Sequence, residues 1–215
     1  MKTLVKKDIK VVGLLINFIL IPLGLMLVLF LKMVDDNFLR YSFYIGILIL
    51  MIGMVHIQLW AHDFHFKSDR FLNSLPLDKE LIVSSRYVTM LVYVLYSALI
   101  VYVFSYISTD RILIYPIKVS EILTISSIVI ILMAFYLPFY YLIGHKDGRT
   151  NDLYLFIMTI TVIILRNSYK KQNILYSSFS IIDLKQFSLL LIIISLIAYM
   201  VSLYSSIKIY RDREF

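Results

Sequence analysis

Three histidines and two aspartates crowd one stretch of this chain: His56, His62, Asp63, His65 and Asp69. Imidazole nitrogens and carboxylate oxygens bind metals, and a zinc site needs three or four such ligands. His62 and His65, three apart, share one face of a helix. No HExxH pattern accompanies them, and the absence of cysteine excludes a thiolate site. His56 in one apolar run and His145 at the end of another offer a haem pair as a second reading. The plainer reading, polar groups near a membrane face, fits their surroundings better. Nucleotide phosphates have no cradle here, since no Gly-rich loop followed by Lys-Ser or Lys-Thr occurs among only six glycines. A GxSxG nucleophile elbow is also missing. The expectation is a chain with no catalytic residue, cofactor or metal of its own.

The elements around these residues are apolar runs. Sixty per cent of the residues are hydrophobic and only 16% charged, with mean hydropathy +0.86, a composition for the bilayer. Spans are expected at about 11–31, 41–60, 87–108, 122–143, 153–168 and 187–206. The fifth holds a charge-free run of only 13 residues, about 20 Å of helix, and crosses if Arg166 snorkels. The fold class is therefore an all-α polytopic membrane protein, one transmembrane domain over 1–215. It has six helices, or five if the short run does not cross. With six spans and a cytoplasmic N-terminus, 13 Lys and Arg lie inside and 8 outside; with five, 14 and 7. The positive-inside rule thus places the N-terminus and residues 61–86 in the cytoplasm without choosing between the two counts.

The first residues put Leu4, Val5, Ile9 and Val12 on one helical face, away from Lys6, Lys7 and Lys10. Either this helix lies in the cytoplasmic interface or its lysines only orient the first span. The net charge of +7 suits an anionic membrane face; no soluble domain exists to carry a nucleic-acid groove. Pro22 and Pro138 predict kinks. The five long runs contain no Asp, Glu, Lys or Arg, and Asn17, His56 and Gln58 are their main polar groups. Ion-coupled carriers place ionisable groups in the membrane, so energy is expected from outside this domain.

Residues 61–86 are the one substantial polar loop. Phe64, Phe71, Leu72 and Leu75 gather on one helical face, with Lys67, Ser68, Asp69 and Arg70 on the rest. Pro76 biases Leu75 away from helix. Asp78 then caps a helix carrying Glu80 in its first turn, which runs through Ile82, Val83 and Arg86 into the third span. A plain connector with an interfacial helix would read the same way.

The stretch DRFLNSLPLDKELIVSSRY, residues 69–87, resembles a pattern in small bacterial permeases of the type-2 ATP-binding-cassette exporter superfamily. There an acidic residue precedes Leu-x-Ser-Leu-Pro, followed by a basic helix start, Ile-Val and Ser-Arg-Tyr. Asp69, Leu72, Ser74, Leu75, Pro76, Lys79, Ile82, Val83, Ser85, Arg86 and Tyr87 supply it here. Asp78 stands where Ser is common, and Leu81 where a polar or aliphatic residue occurs. The resemblance implies a six-span permease working with a second permease, identical or homologous, and with separate cytoplasmic ATPase subunits that carry ATP and Mg. It implies a coupling helix whose ATPase-facing residues are Phe64, Lys67, Asp69, Arg70, Phe71, Leu72, Leu75 and Pro76. It also implies a segment dipping into the outer leaflet before the last span, which suits residues 174–182. Staphylococcal permeases that export phenol-soluble modulins are similarly short, which points to hydrophobic or amphipathic peptide cargo. The abundance of Ile, Leu, Tyr and Lys resembles the usage of low-GC Gram-positive bacteria, hence a multi-pass protein of their cell membrane. From another class, an ATP-independent immunity or sensor protein that sequesters a toxic peptide fits the same composition.

Overall fold

The computed structural model describes residues 1–13, 37–66, 72, 78–107, 118–143 and 184–212. Among these the regular elements are helices: α1 (residues 2–13), α2 (Asn37–His65), α3 (Lys79–Ile107), α4 (Val119–Ile143) and α5 (Leu184–Arg211). Helix is the form in which an apolar segment satisfies its own backbone away from water. Stretches of α2 to α5 are long and apolar enough to cross a bilayer: Tyr44–His65, Lys79–Val103, Val119–Ile143 and Gln186–Arg211. They match four of the expected spans. The span expected at 153–168, and all but the first residues of that at 11–31, lie outside the described residues.

Two helices overrun their apolar runs. α3 starts eight residues before Tyr87 because the Asp78 carbonyl accepts the Leu81 and Ile82 amides at 2.9 and 3.4 Å, as expected of a capping position. α4 is capped by Lys118, whose amide donates to the Glu121 carboxylate at 3.0 Å while its carbonyl accepts the Glu121 amide at 3.0 Å. The Glu121 carboxylate supplies the acidic half of a capping box.

Side-chain pairs give the helix directions. Ser202 meets Ala134 and Tyr141 packs on Tyr210, so α4 and α5 run parallel. Tyr87 bonds Ser202 and Ser206, while Glu80 pairs with Arg211 and Lys79 donates to its carbonyl, so α3 runs the other way. Asp63 pairs with Arg86. The ends of α2, α4 and α5 therefore meet the start of α3 at one end of the bundle.

Pro138 lies inside α4. It has no amide hydrogen for the carbonyl four residues back, which is that of Ala134. Ser202 Oγ on α5 donates to that carbonyl at 2.6 Å. Ser202 also shares a 2.8 Å bond with the Tyr87 hydroxyl, which reaches Ser206 at 2.6 Å, and the Tyr199 hydroxyl donates to the Tyr87 carbonyl at 2.8 Å. The backbone group freed by proline thus anchors a polar seam joining α3, α4 and α5.

α1 packs differently from expectation. Asp8 and Val12 are buried, Leu4 and Val5 are half-buried, and Ile9 is exposed. A carboxylate takes the inward position because its counter-ion waits there.

Candidate functional site

Arg86 sits two turns into α3, with its side chain only 11% exposed. Its guanidinium donates to the Asp63 carboxylate at the end of α2, and lies 3.5 Å from Asp8 of α1. Lys7 approaches the same two carboxylates, at 3.7 Å from Asp63 and 3.9 Å from Asp8. Two acids and two bases therefore gather at one node where α1, α2 and α3 meet. Tyr140 and Tyr141 of α4, Tyr210 of α5 and Leu72 complete the walls of an adjoining cavity of about 20 Å³, room for a single water.

Burial holds the Asp8 carboxyl above the usual carboxylate range; Arg86 and Lys7 and a hydrogen bond from Thr89 pull it down, without cancelling that rise. Charges this deep persist only when paired, and removing one partner strands the others. The node is thus a clasp: the guanidinium fork holds α1 and α2 against the start of α3. α1 adds a second hold lower down, where Gln58 Nε2 donates to the Val11 carbonyl at 3.4 Å. Lys7 meets Asp63 and Val11 meets Gln58, so α1 tracks α2 in the opposite sense.

Beside the clasp, the last turn of α2 presents aromatic rings to the outside. Phe64 is 48% and Phe66 70% exposed. Trp60 stacks on Phe64 at 5.3 Å, and His62 packs on Phe66 at 4.6 Å. Of the expected coupling residues, Phe64 thus belongs to the end of a spanning helix. Leu72 is half-buried, packed on the core and against the clasp cavity. Lys67, Asp69, Arg70, Phe71, Leu75 and Pro76 lie outside the described residues.

His56, His62 and His65 are not gathered into one site, and His145 and Asp69 lie outside the described residues. His56 is buried in α2, hydrogen-bonded to Tyr136 and edge-packed on Tyr140, while His65 is exposed. Among the described residues no three His, Asp or Glu side chains are grouped to hold a metal. Asp63, counted among possible metal ligands, serves as an ion-pair partner instead. Asp8 was not singled out by sequence. Its signal is that it is the one acid among the N-terminal lysines, on the arc of α1 shared with Leu4 and Val12.

A family model described as ABC-2 family transporter protein, ABC standing for ATP-binding cassette, matches residues 3–211. The chain belongs to the ABC-2 family of transporter proteins. Among curated proteins and solved structures, none matches. As an ABC-2 protein it is a multi-pass membrane component of a transport system, and a typical ABC system supplies the ATPase as a partner. The clasp lies within the matched residues and joins the expected loop region to three helices.

Proposed function

We propose that this ABC-2 protein is the permease subunit of an ATP-driven exporter, paired with a second permease and driven by a separate cytoplasmic ATPase carrying ATP and Mg. The observation that carries this reading is the clasp. Force applied to the 61–86 loop would reach α1, α2 and α3 together through Arg86, and the flanking Phe64 and Phe66 offer an apolar handle. Phe64, Lys67, Asp69, Arg70, Phe71, Leu72, Leu75 and Pro76 are the proposed coupling residues, Leu72 from the inner side.

The proposed topology is six spans with a cytoplasmic N-terminus, which the helix directions and the distribution of Lys and Arg support. α4 and α5 both end beside the clasp, so α5 begins at the other membrane face. A crossing within the connection over 144–183 is the proposed fifth span. By the same reasoning, since α1 lies at the clasp and α2 ends there, a crossing within 14–36 is the proposed first span. Hydrophobic or amphipathic peptides are the proposed cargo, supported by spans without charged groups at mid-membrane depth and by the resemblance to staphylococcal modulin exporters. The low-GC Gram-positive cell membrane is the proposed setting.

Affinity isolation of the tagged protein from its native membrane tests the partner: a nucleotide-binding subunit should co-purify, and a complex without one counts against the proposal. Phe71→Ala should leave the complex assembled but uncouple ATP hydrolysis from export; unchanged export would remove the loop's coupling role.

A further inference from the structure

α1 separates its charges. A helix advances about 100° per residue, so Lys2, Lys6 and Lys10 fall within about 80° of one another, with Ile9 beside them. All four are exposed. Asp8 lies on the opposite side, in the clasp, and Lys7 reaches the clasp from the flank, about 60° from Lys10. The only acid of α1 is thus buried, and the exposed arc is purely cationic. Lys2, Lys6 and Lys10 have no acidic partner among the described residues, whereas Lys7 faces two carboxylates. The clasp also sets the height of this arc. Val11 is bonded to Gln58 and Lys7 lies against Asp63, which brackets the turn bearing Trp60. Tryptophan marks the headgroup level of a bilayer.

We propose that Lys2, Lys6 and Lys10 form an anionic-phospholipid recognition surface, with Ile9 entering the edge of the acyl region. Charge complementarity selects the occupant: an anionic headgroup layer pairs with a row of ammonium groups whose long stems lie along apolar surface. The clasp removes the carboxylate that would repel it. The proposal needs only that the chain sits in a membrane, so it stands or falls separately from coupling to an ATPase.

Trp60 is the single tryptophan in the chain and reports locally. The full-length permease is reconstituted in vesicles of phosphatidylcholine with phosphatidylglycerol, and energy transfer from Trp60 to dansyl-labelled phosphatidylglycerol is compared with transfer to dansyl-labelled phosphatidylcholine. Enrichment of the anionic lipid is expected, roughly fivefold per lysine at low salt, falling as salt rises. K2Q/K6Q/K10Q should abolish it. Lys118→Gln, exposed at the opposite end of the bundle, should retain it, and its retention shows that general loss of positive charge is not the cause. Thermal unfolding of each variant verifies that it is folded. Equal transfer to both lipids, or enrichment surviving in the triple variant, overturns the proposal. So does loss of ATPase binding in the triple variant with lipid enrichment intact, which would assign the arc to a protein.

Discussion

Arg86→Met is the sharpest perturbation of the clasp. It keeps an unbranched side chain of similar reach and deletes the charge. Asp63 and Asp8 would remain with side chains 4% and 7% exposed, facing Lys7 at 3.7 and 3.9 Å, with His62 Nδ1 also 3.9 Å from Asp63. Stranding a buried ion in this way costs about 3–5 kcal/mol. Lys7 is one-third exposed and screened by water, so it offsets no more than about 1 kcal/mol. The remaining cost of about 2–4 kcal/mol falls on the docking of α1 and the end of α2, and raises the undocked population of α1 roughly 30- to 1000-fold. Val12 is fully buried on the inner face of α1 and the chain has no cysteine. Val12→Cys therefore supplies one thiol whose maleimide labelling rate reads undocking. Faster labelling in Arg86→Met, with the rest of the bundle folded, is the expected result. D8N/D63N/R86M should return the rate towards the parent, because a neutral set leaves no stranded charge. An unchanged rate in Arg86→Met refutes the clasp. A triple variant as open as the single one refutes the electrostatic account and leaves only packing.

The Asp8 carboxyl is held above its unfolded value, so the docked state binds its proton more tightly. Its contribution to docking is fully present below the unfolded value and is lost as pH rises through the folded one. Protection of Val12→Cys should therefore strengthen on acidification relative to an Asp8→Asn background, measured as a ratio at each pH; a flat ratio contradicts this. Ser202→Ala should lower stability by about 1–2 kcal/mol in thermal unfolding, since the Ala134 carbonyl loses its donor. In a Pro138→Ala background much of that cost should vanish, because an amide at 138 restores the helical bond; additive effects would refute the proline account. Phe64→Ala should leave thermal stability within about 0.5 kcal/mol, whereas Leu72→Ala, half-buried beside the clasp, should cost about 1–2 kcal/mol, less than a fully buried leucine.

Four of the spanning helices could be read from apolar runs alone, because lipid is a uniform solvent and hydropathy measures transfer into it. Asp78 as the start of α3 was equally readable from local backbone chemistry. The Asp8–Arg86–Asp63 clasp was not, and the reason is physical. α3 begins eight residues ahead of its apolar run, and α2 continues to His65, past the end of its own. The inner faces of these overruns are buried against protein rather than lipid, so they can carry charge wherever a partner on another helix neutralises it. A composition window counts Arg86, Asp63 and Asp8 as surface loop residues, because the pairing that permits their burial joins positions 23 and 78 residues apart. The polarity of residues 61–86 therefore has two sources. The aromatics at 64 and 66 face outward and suit a partner, whereas the charges at 63 and 86 face inward and hold the helices that such a partner would move.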